Sequence, residues 1–368
     1  MLSNQSIKVL SYFDGISCGR VALERAGITV STYYAAEIDK YAIKVSMKNY
    51  PDILHLGDVM DLDLDQLPEY DLFLAGFPCQ AYSIAGKMGG LEDIRGQLIF
   101  PMLKAIEKIR PKNLLLENVK GFLAPKNKPV YDLLMNTLKD LGYNITCKVV
   151  NSSLVSAQNR ERVYFTSWDY PLPEDRGITL GEIIESGVVD REKSYCLDAN
   201  YYKGGNPKSY FESGRRQLVF EVKGAALRNQ VTKRGVESQL NIRKDDKSNC
   251  LVASYSEKLN GMVYRASSLV RLGEATDIKG SESQKRVYSV AGKALTLAAH
   301  SGGNLEPKIG VDEWVYRSLS VLECERLQGL PDNYTEGVSK TQRYKTIGNG
   351  WSVDTVSHIL EYLPVCQS

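Results

Sequence analysis

Along residues 1–170 the hydrophobic positions alternate between short strand-like runs and helical spacing. Lys8–Phe13 is an apolar run that closes on Asp14-Gly15. Arg20–Ala26 then carries Val21, Leu23 and Ala26 on one helical face, and Gly27 stops it. Thr32–Ala36 reads as a strand ending in Glu37, Lys40–Asn49 as a helix, and His55-Leu56 as a brief strand leading to Gly57-Asp58. Asp71–Ala75 has the continuous apolar character of a buried strand and runs into Gly76-Phe77-Pro78-Cys79. Gln97–Ile109 is an amphipathic helix stopped near Pro111, Asn113–Leu116 is a strand that meets Glu117-Asn118, and Val130–Leu141 is a helix closed by Gly142. This alternation predicts an α/β fold with a mostly parallel sheet covered on both faces. The polar and glycine residues collect just after the strand C-termini, where open α/β sheets bind ligands.

After about Pro171 the alternation is lost. Residues 171–315 are rich in Gly, Ser, Asn, Lys and Arg and read as a smaller, irregular or β-rich domain. Asp246–Ser254 and Gly292–His300 echo each other as a candidate repeat. Periodicity returns from Arg317, and Val353–Leu363 is a closing helix. The expected organisation is an α/β domain at 1–175, a second domain and hinge at 176–335, and a segment at 336–368 that returns to the first domain.

Composition narrows the chemistry. With 43% hydrophobic and 24% charged residues the chain is globular. It has seven cysteines and no C-x-x-C pair, which argues against a disulfide framework or zinc ribbon and fits a reducing compartment. The three histidines, His55, His300 and His358, are far apart, so neither a histidine metal cluster nor a Ser-His-Asp triad is expected. No apolar run approaches the roughly 20 residues of a membrane span, and the N-terminus lacks a signal-peptide core, so a cytoplasmic protein is expected. The net charge is only +2, yet it is unevenly spread. Lys203–Lys293 holds 18 basic and 9 acidic residues, whereas residues 1–170 hold 19 of each. A basic segment of that kind is a solvated surface or a seat for a polyanion.

Several residues carry chemistry by type and position. The turn Phe13-Asp14-Gly15-Ile16-Ser17-Cys18-Gly19 follows a strand and opens a helix, so its backbone can approach a ligand. Glu37 and Asp58 end the next two strands, where an acid can accept from ribose hydroxyls or an adenine amino group; alone they could equally be surface acids. Cys79 is either a small core residue or a nucleophile held over the sheet by a strand-end turn. Arg160 and Arg162, two apart, share one face of an extended strand, which could also be merely solvated.

Together these pieces resemble the cytosine-5 DNA methyltransferases, which use S-adenosylmethionine. The resemblance covers residues 7–169 and 316–362 in ordered blocks: Gly76–Phe100, Leu114–Gly121, Gln158–Tyr164, Arg317–Tyr334 and Thr346–Val353. It implies a Rossmann-like methyltransferase sheet with a smaller, irregular or β-rich target-recognition domain. It also implies that Cys79 adds to carbon 6 of a flipped-out cytosine, that Glu117 serves the ring nitrogen at position 3, and that Arg162, with Arg160 nearby, faces oxygen 2.

For the cofactor, the resemblance implies Phe13 near the adenine and the Asp14–Gly19 backbone at the methionine end. It gives Glu37 to the ribose and Asp58 to the adenine amino group. Ile38, Val59, Pro78 and Leu98 pack around the ligand, and Asn349, Gly350 and Trp351 close the pocket. Gln80 and Ser83 fall on a DNA-facing loop running through Arg95, with Gly86, Gly89 and Gly90 as possible hinges.

The chain departs from the commonest bacterial pattern at Gly350-Trp351-Ser352-Val353, whose Trp-Ser-Val form looks like the vertebrate de novo DNA methyltransferases, as does Phe13-Asp14-Gly15-Ile16. The expected partner is double-stranded DNA, bound by a monomer, with no metal and no membrane. The alternatives are the same chemistry on RNA cytosine and a non-catalytic DNA-binding relative; a nicotinamide dehydrogenase would leave Pro78-Cys79-Gln80 without a purpose.

Overall fold

The fold is given by a computed structural model of the 368-residue chain. It describes residues 6–77, 98–205, 210, 213–220 and 316–364, together with the backbone of 225–232, 235–242, 271–274 and 286–288. The candidate residues Pro78, Cys79, Gln80 and Ser83, and the candidate repeat, lie outside the described residues.

The chain packs into two units. The first comprises residues up to Ile183, Lys193–Gly204 and Ser320 onward. Its centre is a seven-stranded sheet of β1 (Ile7–Tyr12), β2 (Val30–Ala36), β3 (Leu54–Gly57), β4 (Leu72–Gly76), β5 (Asn113–Val119), β6 (Thr146–Asn151) and β7 (Glu161–Thr166). The order is β3-β2-β1-β4-β5-β7-β6, parallel through β5, with β7 antiparallel to both of its neighbours. The helices are α1 (Cys18–Arg25), α2 (Lys40–Asn49), α3 (Ile99–Ile109), α4 (Lys128–Asp140), α5 (Leu180–Ile183), α6 (Val321–Leu327), α7 (Lys340–Asn349) and α8 (Val353–Leu360).

Strand β4 shows why the sheet is enclosed: Leu72, Phe73, Leu74 and Ala75 are all fully buried, so both faces are covered. Phe73 and Ala75 join Leu10, Leu116 and Phe165 in one core under Met102, Ile106, Leu134 and Leu138 of α3 and α4. Leu74 points the other way, toward Gly19 of α1, and α1 packs on α8. The expected mostly parallel α/β sheet is therefore present. Local signals set the helix ends: Asp39 caps α2 through the Tyr41 amide at 2.9 Å, and Ser320 and Glu323 form a reciprocal capping box on α6.

Two expectations shift. Strand β5 runs past Leu116 to Val119, because the antiparallel ladder with β7 continues through Glu117↔Tyr164 to Val119↔Arg162. Glu117 therefore stands within a strand and not after one. The expected boundaries at 175 and 335 also differ from the packing. Residues 320–335 belong to the first unit, since α6 buries Val321, Cys324 and Leu327 and the Val353 amide donates to the Gln328 carbonyl at 2.9 Å.

The second unit comprises Ile184–Glu192 and Gly205–Leu319. Its described strands pair antiparallel: β8 (Leu218–Phe220) with β13 (Tyr316–Ser318), β9 (Ala225–Thr232) with β10 (Gly235–Ile242), and β11 (Arg271–Glu274) with β12 (Arg286–Tyr288). Small antiparallel pairs in place of βαβ units match the change of texture in the sequence.

Candidate active site

The turn from β1 into α1 takes an unusual path. Phe13, Gly15 and Ser17 have φ of 56°, 60° and 60°, and left-handed backbone is uncommon outside glycine. Its neighbours hold it. The Asp14 amide donates to the Ala36 carbonyl at 3.3 Å and the Ser17 amide to the Asp14 carbonyl at 3.1 Å. The Gly15 amide donates to Glu37 at 2.8 Å, and the Tyr334 hydroxyl to the Ile16 carbonyl at 2.7 Å. The second Glu37 oxygen accepts from the amides of Ile38 and Asp39. Nothing lies within 4 Å of where a Gly15 side chain would start, so the turn faces open space.

The opposite wall is Gly348–Trp351, at the C-terminal end of α7. A Cβ on Gly76 would lie 2.5 Å from the Trp351 indole nitrogen, and one on Gly19 would lie 2.8 Å from Leu74 and 3.6 Å from the indole ring. The indole thus lies across the C-terminal end of β4, in the space that these two glycines leave. Gly350 presses on the Cys18 sulfur and Gly348 on the Asp198 backbone.

A buried polar hub fixes this wall. Arg160 is 3% exposed, and its guanidinium donates to the carbonyls of Leu197 at 3.0 Å and Gly350 at 2.8 Å. The Gln328 amide donates to Ile347 and Gly350, and Gln158, fully buried, donates to Gln328 and accepts from the Leu197 amide.

Glu117 is buried and pairs with Arg162, with Nε 3.0 Å from Oε1. The Arg162 guanidinium also donates to the Glu161 carbonyl at 2.8 Å. The two arginines do aim the same way, since Cys196 Sγ lies 3.5 Å from Arg160 and 4.0 Å from Arg162. Their surroundings differ, however: Arg160 is engaged by backbone carbonyls, whereas Arg162 holds the carboxylate.

These parts meet in one cavity of about 270 Å³. Phe13, Asp14, Gly15, Ile16, Cys18, Gly19 and Glu37 line one side, Glu117, Arg160 and Arg162 another, and Asn349, Gly350 and Trp351 the third. Burial pushes the Cys18 thiol up to about 12, so it stays protonated and is no nucleophile. Ser17, Ile38, Asp58, Val59 and Leu98 stand off this cavity. Ser17 is buried beneath the turn, and Ile38 is 71% exposed. Asp58 accepts from the Met60 amide at 2.9 Å, Val59 is buried, and Leu98 packs on the core. The sheet order nonetheless sets the ends of β1, β2 and β3 side by side, so the turn, Glu37 and Asp58 follow one another along one sheet edge.

The sequence reading left several site residues without a role. Gln158 and Gln328 sit inside recognised blocks, but only the fold shows them bracing Gly350. Tyr334 and Thr346 also sit inside recognised blocks, and Asp39 stands two residues after Glu37, but only the fold brings them to the turn and the cavity. Among the described residues no group of His, Cys, Asp and Glu could hold a metal ion, and no helix is long and apolar enough to cross a membrane.

Comparison with known proteins agrees with this geometry. Residues 7–364 match the C-5 cytosine-specific DNA methylase family. The chain is 30% identical over 360 residues to the Type II methyltransferase M.HhaI of Haemophilus parahaemolyticus, covering 97% of this chain and 93% of that protein. It is 26% identical to the Type II methyltransferase M.NlaIV of Neisseria lactamica, covering 98% and 99%. Its fold resembles that of the Entamoeba histolytica methyltransferase EhMeth, with a TM-score of 0.57 and 17% identity over 98% of both chains. A Spodoptera frugiperda DNMT2 structure gives 0.55 and 17% over 97% and 99%. This chain belongs to the C-5 cytosine-specific DNA methylase family.

Proposed function

We propose that the protein transfers a methyl group from S-adenosylmethionine to carbon 5 of a cytosine flipped out of a specific double-stranded DNA sequence, through a covalent adduct of Cys79 with carbon 6. Methylation of cytosine in DNA is the reaction of its family. The observation that carries the finer reading is the buried Glu117–Arg162 pair, which shares one cavity with the left-handed turn and the Trp351 wall.

The cavity suits the cofactor. Asp14, Glu37 and Asp39 line it, a set of acceptors fit for ribose hydroxyls and a cationic ligand, and Gly15 leaves room beside them. The Asp14–Gly19 backbone would hold the methionine end and Glu37 the ribose. The adenine would extend over Phe13 toward Ile38, Asp58 and Val59, with Pro78 and Leu98 beside it. When bound, the cofactor supplies an electrophilic methyl group on a sulfonium.

Carbon 5 of cytosine is too weak a nucleophile to accept that methyl unaided. The Cys79 thiolate forms a bond to carbon 6, and the ring electron pair moves onto carbon 5. Glu117 holds a proton at nitrogen 3, while Arg162 offsets the charge growing at oxygen 2. Carbon 5 would take the methyl of the bound cofactor as the methyl–sulfonium bond breaks and leaves S-adenosylhomocysteine; a base would then remove the carbon 5 proton, and the electrons of that C–H bond would restore the C5–C6 double bond and expel the thiolate. Arg160 acts at one remove, as a positioning residue that fixes the Gly350–Trp351 wall. The basic segment Lys203–Lys293 would face DNA phosphates, and Gln80 and Ser83 the opened duplex. The protein would act as a monomer in the cytoplasm of a bacterial or phage-infected cell.

The test is DNA carrying 5-fluorocytosine, which has no carbon 5 proton to remove and so arrests the adduct. The wild type with S-adenosylmethionine should give a denaturation-resistant complex and Cys79→Ser none. An undiminished adduct with Cys79→Ser overturns the nucleophile assignment.

A further inference from the structure

Beneath the β1–α1 turn runs a chain of hydrogen bonds that the mechanism above does not use. Asp14 accepts from the Tyr33 hydroxyl at 2.7 Å and from the Ser17 hydroxyl at 2.5 Å. Ser17 Oγ lies 2.6 Å from Ser46 Oγ on α2, and Ser46 Oγ lies 3.3 Å from His55 Nε2 on β3. Tyr33, Ser17 and Ser46 are fully buried.

The direction of this chain follows from proton counting. An ionised carboxylate only accepts, and a serine hydroxyl has one proton to give. Ser17 therefore donates to Asp14, Ser46 to Ser17, and His55 Nε2–H to Ser46. That leaves Nδ1 of His55 bare, and this atom is indeed buried with no hydrogen-bond partner. An unpartnered buried acceptor is more tolerable than an orphaned N–H.

Asp14 lies between two left-handed residues, Phe13 and the fixed Ser17. The Tyr33 bond ties the turn to β2, and the Ser17–Ser46 bond ties it to α2. We propose that Asp14 is a positioning residue for cofactor capture: its ionised carboxylate, fed by Tyr33 and by the directed chain from His55 through Ser46 and Ser17, holds the turn in the left-handed path that presents its backbone to the cavity. This rests on the cofactor reading above.

The charge carries the direction. Burial raises the Asp14 carboxyl from 3.8 to about 6, against the lowering pull of Ser11, Ser17 and Tyr33. The other titratable groups about it are Tyr33 from β2, Glu37 just past its end, Cys18 from α1 and Tyr334. Burial holds the His55 imidazole below its usual value, so it is neutral at pH 7. Above about pH 6 Asp14 is charged and the chain runs toward it. Below it, the protonated carboxyl is no longer a charged acceptor, and the bonds that hold the turn lose their charge assistance.

Two measurements test this on the full chain. The first is the nitrogen-15 spectrum of the imidazoles, read at pH 8. The wild type should carry the His55 proton on Nε2, with the signal assigned through His55→Gln. A His55 proton on Nδ1 at pH 8 overturns the directed chain.

The second is calorimetric binding of S-adenosylhomocysteine. Asp14→Asn, which keeps the shape but removes the charge, should weaken binding about 10- to 100-fold, the worth of one charge-assisted hydrogen bond. Ser46→Ala, which breaks the chain away from the cavity, should weaken it less, about 3- to 10-fold. Wild-type affinity should fall as pH drops through about 6. Asp14→Asn binding within twofold of wild type, or a flat wild-type profile, overturns the positioning role. A wild type that does not bind S-adenosylhomocysteine at all overturns the cofactor reading instead, and the spectrum still decides the chain.

Discussion

The fit of the Trp351 indole against Gly76 gives the sharpest test of the cavity wall. In Gly76→Ala the new methyl would sit 2.5 Å from the indole nitrogen and 3.1 and 3.3 Å from the next two ring atoms. Real Cβ atoms do not approach that closely, so the indole or the strand has to move. The strand cannot move easily, because Gly76 is paired in register with Glu117. The indole has little room either, since Gly350 already presses on the Cys18 sulfur at 2.9 Å from its missing Cβ. Overpacking of this kind costs about 1–3 kcal/mol.

Trp351→Ala alone leaves a space. Because Trp351 is only half-buried, that loss should stay below the about 3–5 kcal/mol of a fully buried aromatic. In the double variant the methyl enters the space that the indole has left, so the two costs should not add. The coupling expected is about 1–3 kcal/mol in the rescuing direction. Urea unfolding of the four proteins measures it, together with S-adenosylhomocysteine binding to show whether the wall has moved. Additivity within about 0.5 kcal/mol would mean that the indole does not occupy the space above Gly76.

Two further predictions concern a buried ion pair and the basic segment. Glu325 is fully buried and accepts from the amides of Asn333 and Thr335 at 2.8 Å, from the Thr335 hydroxyl, and from Arg343 at 2.9 Å. Glu325→Ala strands that cation and should destabilise by about 3–5 kcal/mol in chemical denaturation, with Glu325→Gln milder; a loss under about 1 kcal/mol refutes the account. Replacing several Lys and Arg residues of Lys203–Lys293 with Gln should flatten the dependence of DNA affinity on salt, by roughly one slope unit for each phosphate that is no longer neutralised. An unchanged slope means that DNA is held by another part of the protein.

Much of the fold was legible because hydrophobic period reports burial directly. Lys40–Asn49 and the core of β4 came out as read, since a helix with one apolar stripe and a strand buried on both faces have few other solutions. The end of β5 was misjudged because Glu117 and Asn118 are polar, and only the antiparallel partner β7 shows that the ladder continues through them. The cavity lining was legible where it falls in short local motifs, as in Phe13–Ile16, Glu117 and Gly348–Trp351. It was illegible where residues act through distance. Tyr334 reaches Ile16 across 318 positions, and Gln158 meets Gln328 across 170.

By itself, then, the sequence determined the class of sheet and the family, because these depend on period, residue type and short spacings. The tertiary structure decided which charges matter and how. It made Arg162 the partner of Glu117 while turning the neighbouring Arg160 into a brace for the Trp351 wall. It joined Asp14 through Ser17 and Ser46 to His55, a residue with no local signature, in one hydrogen-bond chain. The physical reason is the same in each case. Burial makes every polar atom's partner consequential, and partners are set by which distant strands and helices the sheet brings together.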